Sequence, residues 1–554
     1  MNRRDMMRIA LMGLTVASGG EAMAAKAKTA SKAVKAVKKS AVRVAPKRAP
    51  KADAVFNIVD VGVAELQAAM TAGHTTSQAL VKAYQARIKA IDRSGPRINS
   101  IIEMNPDALA IATALDRERK ESGPRGPLHG IPILLKDNIA TFDKMETTAG
   151  SLAMVGVRPR RDAFIADRLR AAGAVILGKT NLSEWANFRS TRSSSGWSGR
   201  GGLTRNPYAL DRNTSGSSSG SGASIAASLA AVAVGTETDG SIVSPASGNG
   251  LVGIKPTLGL ISRSGIIPIA ASQDTAGPMA RTVADAAALL TVLAGSDARD
   301  GVTAAADQKA QDYTTFLDPK GLRGARLGVV RANFGGRNDL ASKVVEDALK
   351  VLTAQGAILI DVDLPNAGKY STAETEVLTY ELKDGLNAYL ADCLPGAKIR
   401  TLQDVIDFNE RHKEQEMPYF GQEHFLRAQA KGDLDSPEYV KALASCRNLS
   451  REEGIDKVMA AHKLDALVAP SNGPAWLTDF IKGDNSGGGF SQAAAVAGYP
   501  HVTVPAGYVA GLPIGISFVA GAWAEPRLIT IAYAFEQATR HRRSPTFPAG
   551  VSMT

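Results

Sequence analysis

The stretch from Arg212 to Thr257 gathers hydroxyls and glycines in a pattern that could do acyl-transfer chemistry. Its second half, Gly235-Thr236-Glu237-Thr238-Asp239-Gly240-Ser241, follows an apolar run. Gly240 permits a tight turn there, and such a turn can aim successive backbone N–H groups at one point. A tetrahedral oxyanion requires that arrangement, and a serine at the mouth of the turn can attack a carbonyl while the amides hold the developing charge. Serine alone is a weak nucleophile and needs a base. The seven histidines are scattered over 554 residues and offer no obvious partner. Lys136 stands at the end of the apolar run from Ile131 to Leu135. A lysine accepts a proton only when neutral, so burial must bring its ordinary pKa of about 10.4 down. Taken singly, a lysine after an apolar run is more often a solvated charge at a strand end.

Several elements must hold these residues in place. Ser215 to Gly222 contains only Ser and Gly, a composition typical of flexible linkers. It runs directly into Ala223–Ala233, which reads as a close-packing helix of small side chains. The pairing of the two predicts an ordered loop whose amides and hydroxyls face a site. Leu66 with Met70, and Leu80, Tyr84 and Ile88, lie at helical spacing, predicting covering helices around 63–93 and 106–121. Apolar runs at 131–135, 174–177, 231–234, 327–330, 358–362 and 466–469 alternate with helical stretches and predict an α/β fold around a large sheet.

The Ser/Gly loop with Ser217, the Gly240-Ser241 pair, Gly253-Ile254-Lys255-Pro256-Thr257 and Gly130-Ile131-Pro132-Ile133-Leu134-Leu135-Lys136-Asp137-Asn138 together resemble the amidase signature family. Gly178-Lys179-Thr180-Asn181, Asp274-Thr275-Ala276-Gly277-Pro278 and Gly511-Leu512-Pro513-Ile514-Gly515 extend the likeness, which spans roughly residues 63–536 and is weakest between 301 and 462. The resemblance implies a large, twisted, mixed β-sheet covered by α-helices on both sides, with no metal or organic cofactor. It implies that Ser241 forms the acyl-enzyme and that Ser217, in a cis peptide bond, bridges Ser241 to Lys136. It further implies an oxyanion hole made by the backbone amides of Thr238, Asp239, Gly240 and Ser241.

The variant of the motifs found here is similar to the peptide amidases of that family, which remove C-terminal amides. Aryl, fatty or oligomeric amides are the alternative substrates. Asp239 supplies a carboxylate where many members have none, and Val243 stands where many have arginine. Asp239 reads first as a cap for its own turn and second as a group that repels a free carboxylate or holds a cation.

Three rival readings compete with this one. Ser218 lies at the centre of a G-x-S-x-G pattern, as in a nucleophile elbow, but the polar segment before it is no buried strand. The glutamine-hydrolysing subunit of tRNA-dependent amidotransferases shares the motifs, yet works in the cytosol. A catalytically inactive binding protein of the same fold is opposed by the presence of all three catalytic residue types.

Of the net charge of +11, +10 lies in residues 1–53, which argues against a nucleic-acid-binding face on the remainder. Arg3-Arg4, the apolar stretch Ile9 to Ala17 and the small-x-small site Ala22-Met23-Ala24 read as a twin-arginine-type signal over 1–24 and an exported, periplasmic or secreted enzyme. Residues 25–53, rich in Lys and Ala, read as a disordered linker, and 54–554 as one catalytic domain. The apolar stretch is too short for stable membrane insertion. Cys393 and Cys446 could pair in an oxidising compartment or remain two buried thiols. The partner is a small-molecule or peptide amide; oligomeric state and acyl preference have no signature, although 301–462 is the stretch expected to shape the acyl pocket.

Overall fold

The computed structural model describes residues 56–334 and 339–551. The expected signal (1–24) and linker (25–53) lie outside the described residues. The strands, in chain order, are β1 (Ile101–Met104), β2 (Pro132–Lys136), β3 (Val175–Thr180), β4 (Trp197–Ser198), β5 (Gly202–Leu203), β6 (Val232–Glu237), β7 (Val252–Lys255), β8 (Thr275–Ala280), β9 (Arg326–Val330), β10 (Ile358–Val362), β11 (Ala466–Pro470), β12 (His501–Val509) and β13 (Leu512–Val519). Eleven of them form one sheet in the order β1-β3-β2-β6-β8-β7-β12-β13-β11-β9-β10, and β4 with β5 makes a separate two-stranded pair. The large sheet is mixed: β3, β2 and β6 are parallel, as are β11, β9 and β10, while the strands between pair antiparallel. The fold is therefore α/β, as expected.

The six predicted runs coincide with β2, β3, β6, β9, β10 and β11. Every residue of β2, β3, β6 and β11 is buried, so these strands read as unbroken apolar runs, as strands covered on both faces do. Strands β1, β7, β8, β12 and β13 are not among the predicted runs, and in β8 and β12 glycine and proline imitate a loop. Gly277 and Pro278 interrupt β8, yet a Cβ on Gly277 would lie 2.0 Å from the carbonyl oxygen of Ile254 in β7. Pro505 and Gly507 sit where the β12–β13 register slips, a bulge that accommodates the missing donor.

Helices pack onto this sheet, with Val283–Leu293 against β8 and Asp339–Ala354 and Glu525–Thr539 against β12. The expected helix pattern at 63–93 resolves into Val63–Thr71 and Ser77–Arg87, with Leu66, Met70, Leu80 and Tyr84 buried. The helix read over Ala223–Ala233 needs correction. It runs from Ser219 to Ala226, the chain turns with Ser228 at φ 56°, and the remaining apolar residues enter β6. Alanine favours helix by a fraction of a kcal/mol per residue, which pairing of β6 between β2 and β8 outweighs. Among the described residues no helix is long and apolar enough to cross a membrane.

Candidate active site

Parallel pairing sets Leu135 opposite Val234, so β2 and β6 end side by side and deliver Lys136 and Thr236 to one edge of the sheet. Ligand sites in α/β sheets gather at such carboxyl ends. Lys136 is fully buried. Its Nζ lies 2.8 Å from Ser217 Oγ, 2.9 Å from Thr236 Oγ1 and 3.2 Å from the Thr236 carbonyl oxygen. Among the described residues no carboxylate pairs with the amine directly. Burial pulls its pKa down to about 7, against the weaker opposing pull of Asp274 and Glu237. When neutral, the amine donates to Thr236 and presents its lone pair to the Ser217 hydroxyl. Asn138 Nδ2 donates to Thr236 Oγ1 at 3.0 Å, which fixes the hydroxyl that orients the amine.

The motifs named two further lysines, and both are buried as well. Lys179 Nζ donates to Thr147 Oγ1 at 2.8 Å, and Lys255 Nζ to the Pro256 carbonyl at 3.1 Å. Neither meets a serine. A serine does meet a histidine elsewhere, Ser517 Oγ with His501 Nε2 at 2.6 Å, but Ser471 and Thr503 enclose the pair within the sheet. Burial holds His501 neutral, with a pKa near 3.

The Ser/Gly run is ordered and mostly buried, as its context predicted. The Gly216–Ser217 peptide bond is cis. Ser217 Oγ faces Lys136, while the next serine serves as a strut: Ser218 Oγ donates to the Thr236 carbonyl at 3.0 Å and accepts from Thr236 N–H at 3.2 Å. That use, and the polar loop before it, dispose of the elbow reading for Ser218. Ser218 N–H also donates to the Ser241 carbonyl at 3.1 Å, tying the two serine segments together. Ser241 Oγ itself has no hydrogen bond to another described residue. Lys136 and Ser217 are thus joined directly, and Ser217 to Ser241 through the adjoining peptide; catalytic contacts commonly tighten only on substrate binding.

Gly220 lies inside the helix Ser219–Ala226, where glycine is normally unfavourable. A Cβ there would come within 2.2 Å of the Ser100 carbonyl oxygen and 2.5 Å of that of Asn181. Because both obstacles are backbone, Gly220→Ala is expected to lower unfolding free energy by about 2–3 kcal/mol despite its better helix propensity, measured by denaturant titration. A neutral or stabilising result would show that the packing tolerates a methyl group.

Thr238, Asp239, Gly240 and Ser241 form the turn between β6 and the helix Val243–Gly248. Gly240 has φ +79°, which favours glycine. The N–H groups of these four residues have no hydrogen-bond partner among the described residues, leaving a set of donors for an oxyanion. Glu237, which the sequence did not single out, anchors the turn: its Oε2 accepts from Ile242 N–H at 2.7 Å and Val243 N–H at 3.0 Å, at the start of the helix.

Asp239 does not cap this turn, contrary to expectation. Among the described residues no backbone N–H donates to it, and its Oδ1 has no hydrogen-bond partner. The half-buried side chain sits beside Ser491, and burial, then Glu374, raises its pKa well above the usual carboxylate range. Glu374 belongs to the helix Ser371–Cys393 in the 301–462 stretch. The same helix supplies Ala388 and Tyr389 to the wall of a cavity of about 310 Å³ that Asn138, Thr236, Thr238, Ile266 and Ile267 also line. The weakest part of the resemblance therefore does help to enclose the site. Cys393 and Cys446 are unpaired, buried thiols.

The amidase family profile matches residues 79–529. A probable amidase of Arabidopsis thaliana is 44% identical over 505 residues, covering 89% of this chain and 93% of the relative. The structure of native peptide amidase from Stenotrophomonas maltophilia superposes with a TM-score of 0.85 at 54% identity, covering 88% of this chain and 99% of that one. That of the peptide amidase PAM in complex with the competitive inhibitor chymostatin gives a TM-score of 0.86 at 53% identity, over 88% of this chain and 100% of that one.

Proposed function

We propose, from the premise that this chain belongs to the amidase signature family and is an amide hydrolase, that it removes C-terminal amides from peptides through a Ser241 acyl-enzyme. The observation that carries the proton relay is the fully buried Lys136 amine 2.8 Å from the Ser217 hydroxyl. Neutral Lys136 takes the Ser217 proton as Ser217 takes that of Ser241, and Ser241 Oγ attacks the amide carbonyl. The carbonyl oxygen becomes an oxyanion facing the N–H groups of the 238–241 turn. On collapse the C–N bond breaks and the relay returns a proton to the departing nitrogen. Water then enters, gives its proton to the same relay, and cleaves the ester to free carboxylic acid and Ser241.

The peptide-amide assignment is supported by identities of 53% and 54% with peptide amidase structures. Purified enzyme is expected to release one ammonia for each peptide amide consumed and to leave the internal peptide bonds whole, as read by ammonia assay with mass spectrometry. Faster turnover of anilides or fatty amides than of any peptide amide would displace this substrate assignment while keeping the amidase. Export rests on the order of the twin arginine, the apolar stretch and the Ala22-Met23-Ala24 site. The mature chain is expected to begin near Ala25 in a periplasmic or extracellular fraction; full-length protein confined to the cytosol would refute it.

A further inference from the structure

Two carbonyls of the 238–241 turn are pinned, and this sets where two of its N–H groups point. The only cis peptide bond among the described residues is Gly216–Ser217, so the peptides of the turn are trans. In a planar trans peptide the C=O and the following N–H point in opposite directions. The Gly240 carbonyl accepts from Ser244 N–H at 2.8 Å, which aims Ser241 N–H away from the helix that begins at Val243. The Thr238 carbonyl accepts at 3.2 Å from Gln273 Nε2, and this aims Asp239 N–H to the opposite side. The first pin is backbone and follows from the helix. The second depends on one side chain, contributed by the loop before β8.

Gln273 is buried, and its amide has a fixed sense. The same Nε2 donates to Glu374 Oε1 at 3.0 Å, while Glu374 Oε2 accepts from Gln492 Nε2 at 2.7 Å. A flipped Gln273 would set its carbonyl against both the Glu374 carboxyl and the Thr238 carbonyl, so only the NH2 group suits this place. The neighbouring Asp274 grips the same residue through its side chain, accepting from Thr238 Oγ1 at 2.5 Å and from Ile269 and Ala270 N–H at 2.8 and 2.9 Å. Thr238 is therefore held by side chain and carbonyl at once, and only the carbonyl contact orients a peptide plane.

We infer that Gln273, held by Glu374, is a positioning residue for catalysis: it aims the Asp239 N–H at the oxyanion without touching substrate. This deepens the function proposed above and rests on it. A misaimed donor costs the transition state and leaves ground-state binding intact. Gln273→Met, of similar volume but with no donor, is expected to lower kcat on a peptide amide about 10- to 100-fold with KM within about threefold. The inhibition constant of a peptidyl aldehyde, whose adduct with Ser241 places an oxyanion in the turn, should weaken by the same factor as kcat/KM. Binding of the corresponding peptide acid should not change. Glu374→Leu, which removes both carboxylate acceptors and with them the one that fixes the Gln273 amide, should shift the same quantities in the same direction and serves as the test should the methionine variant fail to fold. A folded Gln273→Met enzyme with parental kcat, or with its loss confined to KM or to thermal stability, overturns the inference. Labelling by a fluorophosphonate separates the two levels. Parent enzyme that does not label at Ser241 sinks the acyl-enzyme reading and this inference with it, whereas parent and Gln273→Met enzymes labelling at equal rates sink the inference alone.

Discussion

Ser241→Ala is expected to lower kcat/KM on a peptide amide by about 10⁵- to 10⁶-fold, the scale seen when a nucleophile acting as part of a unit is removed. The fold should survive. Ser241 Oγ has no hydrogen-bond partner among the described residues, and the contact that ties this residue to the Ser/Gly loop is made by its main-chain carbonyl with Ser218 N–H. Alanine keeps that carbonyl and the N–H groups of the turn. Circular dichroism and the thermal midpoint should therefore match the parent while burst-phase acylation disappears. A folded Ser241→Ala enzyme retaining a tenth of parental activity would remove Ser241 from the chemistry.

The second large effect belongs to Lys136. With the amine's pKa near 7, the neutral fraction, and with it the rate, should climb through pH 7, falling about tenfold per pH unit well below it. A free histidine titrates close by, so the profile alone does not identify the base. Lys136→Met supplies the identification: turnover is expected to fall about 10³- to 10⁴-fold, and the residual rate should lose this pH limb. Loss of folding is not the expected reason. Between about pH 7 and 10.5 the unfolded chain holds a proton on this lysine that the folded chain does not, so this group's contribution to stability rises with pH across that window. At neutral pH the buried amine is a cost, and an apolar side chain of similar length removes it. The Met variant should be at least as stable as the parent at pH 7 and should lose that part of the pH dependence. An active variant that keeps the limb would refute Lys136 as the base, and an unfolded one would refute the stability argument.

The chemistry-bearing residues were legible in the sequence because each lies in a local pattern: Gly240 before Ser241, the Ser/Gly run around Ser217, and an apolar strand ending at Lys136. The core strands were legible for the same local reason, as unbroken apolar runs. Where a strand carries Pro505, Gly507 or Gly277, the residue type demanded by a neighbouring strand conceals the strand itself.

The sequence alone therefore determined which side chains could act and in what order the motifs come. It picked out Lys136, by its place after an apolar run and by the family resemblance, but did not show what the amine would touch, and Lys179 and Lys255 in other motifs become buried as well. The tertiary structure supplied that contact, by setting β2 parallel to β6 so that this amine meets a hydroxyl 81 residues away. The same holds for Gln273 and Glu374, which are 101 residues apart and meet beneath the turn. Hydrogen bonds act over about 3 Å and depend on direction, so partners so far apart along the chain leave no spacing to read and exist only once the fold has closed around them.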